Sequence, residues 1–196
     1  KNKATKTLHI INNAFDMTPP RDSSAECEIF CFAALADANN GTIYTDLTGK
    51  FPVRSYKGNQ YIFLAYVYDA NAILVRPLKS RHATNQVEAF KDIYNYLIKR
   101  NFKPKLHVMD NECSTIIKDF ITGVQKINIQ FVEAHQHRVN ASERAIQTFK
   151  NHFIAGLCTV DKNFPLHLWC DLLAQAEMSL NLLHTSRTNP GLSAYA

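Results

Sequence analysis

The nine-residue run YIFLAYVYD, at positions 61–69, constrains the fold more than any other stretch of this chain. It is apolar almost throughout, yet it is far shorter than the roughly 20 apolar residues that a membrane-spanning helix needs. A short continuous apolar run of this kind is expected for a central strand that is covered on both faces of its sheet. The sequence therefore predicts a sheet with helices packed against it, and no membrane partner.

Strand and helix signals follow one another in a definite order around this run. A β-branched and aromatic stretch, TIYTDL, predicts a strand before the run at 61–69. AILVRPL follows that run after a short connection, so the runs at 61–69 and 72–78 are predicted to form a hairpin. Beyond this hairpin, apolar residues spaced three and four apart predict helices that alternate with short strands. The predicted strands are 42–47, 61–69, 72–78, 105–110 and 127–132, and the predicted helices are 85–98, 114–124, 141–157 and 166–184.

Three strands in hairpin succession, followed by strands that alternate with helices, predict an α/β fold. The expected architecture is an RNase H-like mixed five-stranded sheet with helices on both faces, spanning residues 41–196. Residues 1–40 are polar and irregular and contain Pro19-Pro20, so they are predicted to be a linker or a poorly ordered arm. The chain starts with Lys1 and ends at NPGLSAYA, which leads us to expect a fragment of a longer polypeptide.

Composition permits a polyanionic partner without requiring one. Of 196 residues, 46% are hydrophobic, and the net charge is +5, a mild basic excess. The five cysteines are odd in number and loosely spaced, which predicts free thiols in a reducing, intracellular compartment. Cys27 and Cys31 have no pair of histidines close behind them, so a zinc site there is only a weak alternative.

Three acidic residues lie where a mixed sheet of this order can bring them together. Asp46 lies in the first strand, Asp110 ends the fourth, and Glu143 opens a helix after the fifth. Clustered carboxylates repel one another, so such a cluster makes sense if divalent cations compensate the charge. Mg²⁺ prefers oxygen ligands, and two ions roughly 3.5–4 Å apart can activate an attacking oxygen and stabilise a leaving one in phosphoryl transfer.

Each acid also has a purely structural interpretation that the sequence leaves open. Asp46 could be a turn residue before a glycine, and Asp110 could begin a turn with the asparagine that follows it. Asn140 and Glu143 have capping-box spacing, so Glu143 could instead accept a hydrogen bond from a backbone N–H at the helix start.

The predicted helix that begins near Ala141 carries polar residues that could contact DNA, a polyanion whose phosphates such a metal site could act on. At about 100° per residue, Gln147 and Lys150 fall on the same side as Glu143. Lys150 could contact a phosphate held at the metals, or it could be an ordinary solvated lysine. Arg144 could hold DNA or form an ion pair within the protein. The apolar stripe of this helix, predicted to face the core, consists of Ile146, Phe149, Phe153 and Leu157.

The polar loop before this helix supplies donors that suit the DNA backbone. Its two histidines, at i and i+2, could instead be a pair of metal ligands, although no third soft ligand is near them in sequence. The predicted DNA-binding residues of this loop are His135, Gln136, His137, Arg138 and Asn140.

Several segments together resemble the integrase catalytic core of copia-type (Pseudoviridae) retrotransposon polyproteins. They are IYTDLTGKFPVRS, NQYIFLAYVYDANAILVRPL, VMDNECS and HRVNASERAIQTFKNHFIAGL, in the same order as in that family. The resemblance runs from about Gly41 to the end of the chain. It implies a retroviral-integrase-type fold in which Asp46, Asp110 and Glu143 form a D-D-E triad that binds two Mg²⁺ or Mn²⁺ ions.

The resemblance also implies an activity and partners. A 3′-hydroxyl of the element's DNA would attack a phosphodiester of target DNA, and a homo-oligomer would bridge two DNA ends in the nucleus or in a cytoplasmic virus-like particle. Thirty-three positions separate Asp110 from Glu143 (143 − 110), slightly fewer than in retroviral cores. Neither the family's His-His-Cys-Cys zinc module nor its basic C-terminal domain is recognisable in this sequence.

Two other functions remain open at the level of sequence. An RNase H-like nuclease would use water in place of the 3′-hydroxyl, and would cut DNA rather than join it. A catalytically decayed copy would only bind DNA or self-associate. The presence of all three acids argues against decay.

Overall fold

The computed structural model describes residues 40–110, 115–132 and 141–196, without the side chains at positions 110, 124, 141 and 142. The chain divides into two units, Lys1–Ala38 and Asn39–Ala196, and all of the described residues belong to the second. The predicted arm therefore lies almost wholly outside the described residues and stays a prediction, as does the zinc alternative at Cys27 and Cys31. Cys158 and Cys170 are described, and both are free thiols.

Five strands form one mixed sheet, as the sequence predicts. They are β1 (Thr42–Leu47), β2 (Tyr61–Val67), β3 (Ala72–Leu78), β4 (Leu106–Asp110) and β5 (Asn128–Val132). Their order is β3-β2-β1-β4-β5, so β1 lies at the centre. β2 runs antiparallel to both of its neighbours, whereas β4 is parallel to β1 and to β5. The apolar run that predicted the sheet forms β2, which is buried along almost its whole length.

Helices cover both faces of this sheet in the described part of the chain. They are α1 (Ala83–Lys99), α2 (Thr115–Asp119) with a π-helical turn (Phe120–Val124), α3 (Ala141–Thr159), a 3-10 helix (Leu166–Leu172) and α4 (Leu173–Leu183). None of the helices in the described ranges is long and apolar enough to cross a membrane.

Alternate residues of the sheet enter two separate cores, one on each face. On the first, the α1 face, Ile43 of β1 packs with Phe90 and the other buried residues of α1 and with α2. On the second, the α3 face, Tyr44 and Leu64 pack with Phe149 of α3, with the 3-10 helix and with α4. The prediction of a mixed α/β sheet with helices on both faces is confirmed.

In two of the predicted helices, regular α-helix begins or ends at a different residue from the one predicted, where side chains bond to groups nearby in sequence. α1 begins earlier than the helix predicted over 85–98, after His82, and the Asn85 side-chain amide donates to the Ser80 hydroxyl at 2.9 Å. The helix predicted over 114–124 changes to a π-helical turn at Phe120. Gly123 is a poor helix former, and the Thr122 hydroxyl bonds the backbone carbonyl of Lys118, so regular α-helix is weakened there.

The helix predicted over 166–184 is in fact two segments, a 3-10 helix followed by α4. The first segment is docked against the β1–β2 loop (residues 48–60) through His167 and Trp169. The carbonyl of His167 accepts the Tyr56 N–H at 2.9 Å, and the Trp169 indole N–H donates to the Val53 carbonyl at 2.9 Å. These tertiary contacts override the local preference for an α-helix.

The outer edge of β3 is covered by two polar side chains of α4. Asn181 is buried, and its amide both accepts from the Ile73 N–H and donates to the Ile73 carbonyl, each at 2.8 Å. One turn earlier on α4, the Glu177 carboxylate accepts the Val75 N–H at 2.7 Å. Burial raises the pKa of Glu177. These bonds satisfy backbone groups that an edge strand would otherwise expose, which leaves this edge closed to further strand pairing.

Candidate functional site

The carboxyl ends of three parallel strands define the edge of the sheet that carries the predicted acids. β1, β4 and β5 run in the same direction, and Tyr44 of β1 pairs with Val108 of β4. Two residues further along each strand, this register brings Asp46 level with Asp110. We call this edge the acid edge. The side chain of Asp110 lies outside the described part of the structure, so its role as a metal ligand stays a prediction.

Asp46 lies on the α3 face of the central strand. Asp46 pairs with Leu64 of the neighbouring strand β2, and Leu64 belongs to the core of the α3 face. Asp46 also follows Tyr44, a residue of the same core, by two positions. The side chain is half-buried, and its Oδ1 accepts a hydrogen bond from the N–H of Leu47 at 2.6 Å. One carboxylate oxygen is therefore oriented by the backbone of its own strand.

Glu143 lies in the first turn of α3 and is exposed. α3 packs across β1 and β2, and its contribution to the α3-face core begins directly after this turn, with Ala145 and Ile146. Glu143 therefore lies at the start of the helix that covers the same face of β1 as Asp46. Its predicted capping partner, Asn140, lies outside the described residues.

The rest of α3 has the face that was predicted for it. Ile146, Phe149 and Phe153 are buried in the core, and Leu157 is partly buried against it. Arg144 and Gln147 are exposed, and Lys150 is half-buried.

The polar residues of α3 and of the loop before it remain predicted DNA contacts. Gln147 donates from its side-chain amide to the Asn151 side chain at 2.8 Å, so one of its donors is used within the helix. Arg144 takes part in no ion pair within the described ranges. The loop residues His135, Gln136, His137, Arg138 and Asn140 lie outside those ranges.

A metal site is not visible among the described side chains. They include no group of three or more histidine, cysteine, aspartate or glutamate residues that could hold a metal ion, and this set excludes Asp110. The chemistry of the donors fits a hard divalent cation all the same. Two acid-bearing positions stand level on neighbouring parallel strands, and carboxylate oxygens are the ligands that Mg²⁺ prefers.

Sequence reasoning missed a buried histidine on the strand that leads to Asp110. His107 is fully buried on the α1 face, where its ring stacks on Phe90 at 4.8 Å between centroids and its Nε2 lies 2.6 Å from the Thr45 hydroxyl. Its Nδ1 has no hydrogen-bond partner among the residues that the structure describes. Burial lowers the pKa of His107 to about 3. The sequence signal that could have indicated its burial is its position in a short strand, between the apolar residues Leu106 and Val108.

We expect His107 to make the fold sensitive to acid. Because the pKa of His107 is near 6.5 when unfolded and about 3 when folded, the unfolded chain binds an extra proton between these values. The free energy of unfolding should therefore fall as pH drops below 6.5, by about 1.4 kcal/mol per pH unit at most. Denaturant unfolding at a series of pH values measures this slope.

A matched pair of variants isolates the contribution of His107. His107→Phe keeps an aromatic ring against Phe90 and should show a shallower slope between pH 6 and 4. His167→Ala removes an exposed histidine side chain and should keep the wild-type slope. An unchanged slope in His107→Phe would contradict the assignment.

Comparison with known proteins identifies the fold. No family model and no curated protein sequence matches the chain. Among solved structures, the HTLV-2 integrase catalytic core domain in complex with magnesium superposes with a TM-score of 0.58 and 19% identity, over 79% of this chain and 93% of that one. The catalytic core domain of BIV integrase gives a TM-score of 0.55 and 15% identity, over 79% and 91%.

A chain of the simian T-cell lymphotropic virus intasome, solved with the PP2A regulatory subunit B56 gamma, gives a TM-score of 0.62 and 12% identity. The match covers 79% of this chain and 52% of that one. The HTLV-2 core was solved in trimeric and dimeric forms. The described unit therefore has the RNase H-like fold of retroviral integrase catalytic cores.

Proposed function

We propose that this chain is the catalytic core of a retrotransposon integrase of the copia type, a polynucleotidyl transferase that joins a DNA 3′ end to target DNA. The observation that carries the proposal is the register of β1 and β4, which brings Asp46, on the α3 face of β1, level with position 110 of the neighbouring strand. The likeness to retroviral integrase cores supports it at the level of fold. The motif resemblance to copia-type cores supplies the finer assignment.

The proposed roles of the residues follow from their positions. Asp46 is held on the central strand with one oxygen oriented by the Leu47 N–H, so it would present a fixed ligand. Glu143 is placed by a helix whose apolar stripe is buried, which limits the movement of its first turn. With Asp110 they would hold two Mg²⁺ or Mn²⁺ ions, which when bound would polarise the attacking and leaving oxygens.

The protein's own part in the reaction is placement and charge. Lys150, half-buried on α3, would contact a phosphate beside the triad. Arg144, Gln147 and the loop at 135–140 would hold the DNA backbone and keep the reacting phosphate in line with the 3′-hydroxyl. A homo-oligomer in the nucleus or in a virus-like particle is part of the same proposal, and the HTLV-2 core's trimeric and dimeric forms support the oligomer.

The nature of the products tests this function against its rivals. The purified chain is incubated with a labelled DNA end and an unlabelled target duplex, with Mg²⁺, with Mn²⁺ or with a chelator. We expect labelled products longer than the substrate, formed only with a divalent cation. A matched DNA end that carries a 3′-deoxy terminus should give none, because the attacking hydroxyl is missing.

Other product patterns would overturn the proposal in distinct ways. Shortened fragments that form equally well from the 3′-deoxy end would identify a nuclease. Retarded DNA without any metal-dependent product would identify a binding protein that has lost its chemistry.

A further inference from the structure

Two connections meet at the acid edge on the side of β2 and β3. The β1–β2 loop (residues 48–60) leaves β1 directly after Asp46 and Leu47, and the β3–α1 connection (residues 79–82) starts where β3 ends. The Gln60 N–H donates to the Leu78 carbonyl at 2.9 Å, which joins the end of the first connection to the start of the second. Both connections therefore border the same edge of the sheet as the predicted triad.

The two connections are basic and contain no acid. Residues 48–60 read TGKFPVRSYKGNQ and residues 79–82 read KSRH, so neither contains aspartate or glutamate. Lys57 is neutralised, because its ammonium lies 2.6 Å from the Asp171 carboxylate, and hydrogen bonding to that carboxylate raises the pKa of Lys57. The remaining cations are all exposed, and none takes part in an ion pair of the described chain. They are Lys50, Arg54, Lys79 and Arg81, and we call them the basic strip.

Two members of the strip are oriented by local contacts. The Nε of Arg54 donates to the Gly58 carbonyl at 3.3 Å. The Arg81 guanidinium lies over the ring of Tyr61 at 5.3 Å from its centroid. Each contact reduces the side-chain freedom that would be lost on binding an anion.

The loop that carries Lys50 and Arg54 is itself held firmly. Phe51 stacks on Trp169 with 4.4 Å between ring centroids, and the Val53 carbonyl accepts the Trp169 indole N–H. Within the loop, Ser55 and Asn59 are buried, and the Asn59 N–H donates to the Ser55 hydroxyl at 2.9 Å. Lys50 and Arg54 therefore lie on a loop that packing and hydrogen bonds hold in place beside the acid edge.

We propose that the basic strip binds the phosphodiester backbone of duplex DNA next to the reacting phosphate, on the β2–β3 side of the acid edge. None of the four exposed cations has an ion-pair partner among the described residues, so a polyanion could supply the compensating charge. Contacts from lysine and arginine to phosphates carry no sequence information, so we expect this binding to be independent of sequence. This proposal rests on the proposed function, because it places DNA at the triad.

Binding measured without catalysis tests the strip. The chain is titrated into a fluorescent random-sequence DNA duplex, with Ca²⁺ in place of Mg²⁺, over a range of salt concentrations. The variants are Lys50→Ala with Arg54→Ala, and Lys79→Ala with Arg81→Ala. Each pair should weaken binding about tenfold near physiological salt and should lower the slope of log K against log salt by about two, since each lost phosphate contact removes about 0.9.

A matched pair at the opposite edge of the sheet controls for net charge. Lys99 and Lys103 are exposed near the end of α1 and before β4, so Lys99→Ala with Lys103→Ala removes the same charge away from the acid edge. This pair should leave the salt slope nearly unchanged. Unchanged thermal unfolding in all variants confirms that they fold. Equal losses in the strip pairs and the control pair, or no loss in either strip pair, would overturn the proposal.

The outcome for the strip can be separated from the outcome for the proposed function. If the wild-type chain joins no DNA ends, the proposed function fails, while the binding comparison still decides whether the strip contacts DNA. If the wild type joins DNA and both strip pairs bind as tightly as the wild type, only the strip is wrong.

Discussion

An Asp46→Asn variant is expected to lose DNA strand transfer by about a hundredfold to a thousandfold, since a single aligned electrostatic group commonly contributes about 10²–10³ to a rate. The amide is nearly the same size as the carboxylate, and its carbonyl oxygen can still accept the Leu47 N–H that Asp46 Oδ1 accepts at 2.6 Å. The fold should therefore survive, while the negative charge needed to hold a cation is gone. The amount of joined product per unit time, measured with Mg²⁺ and with Mn²⁺, gives the loss.

The control for this variant is Glu88→Gln, which makes the same chemical change in a distant acid. Glu88 is exposed on α1, the helix that covers the other face of the sheet from Asp46. Its rate of strand transfer should stay within about twofold of the wild type, because surface substitutions away from a site are usually small in effect. If Asp46→Asn kept more than a tenth of wild-type activity under these conditions, the triad would not be the source of catalysis.

Trp169→Ala should lower the free energy of unfolding by about 3–5 kcal/mol, the usual range for removing a buried tryptophan or phenylalanine side chain. Trp169 is 0% exposed, and its ring stacks on Phe51 and makes an edge contact with Phe153. The variant removes both contacts and leaves the Val53 carbonyl without its donor. For a chain of this size a loss of this order lowers Tm by about 10 °C, which calorimetry measures.

Trp169→Phe separates the ring from its N–H. It keeps an aromatic side chain against Phe51 but cannot donate to Val53, so it should cost about 1–3 kcal/mol. The order of stability should be wild type, then phenylalanine, then alanine. An alanine variant as stable as the wild type would show that Trp169 does not hold the β1–β2 loop. It would also contradict the argument that Lys50 and Arg54 lie on a loop held in place.

Much of the fold could be predicted from sequence because the signals are local. The apolar run of β2 and the β-branched residues of β1 and β3 identify strands through neighbours a few positions away. The stripe on α3 identified its buried face for the same reason, since residues three and four apart lie together on any helix.

The errors fall where distant residues decide the local structure. The segment beginning at Leu166 has a helical apolar pattern, yet it is a 3-10 helix because Trp169 and His167 bond residues of the β1–β2 loop more than a hundred positions earlier. His107 was missed because its burial depends on Phe90 of α1 and Thr45 of β1, which its own neighbours in sequence do not reveal.

The candidate site divides in the same way. Asp46, Asp110 and Glu143 could be chosen from the sequence, because each acid lies in or next to a predicted strand or helix. Spacing along a chain, however, does not determine which residues of two strands stand opposite each other. That depends on the pairing of Tyr44 with Val108, a contact between residues far apart in sequence.

By itself, the sequence determined most of the elements of this protein, their order and the apolar faces they bury, because each of these depends on periodicity over a few residues. The tertiary structure alone decided the register that brings β1 and β4 level at the acid edge, the docking of the β1–β2 loop on Trp169, and the meeting of two basic connections beside that edge. Their physical cause is packing and hydrogen bonding between segments that only the folded chain brings together.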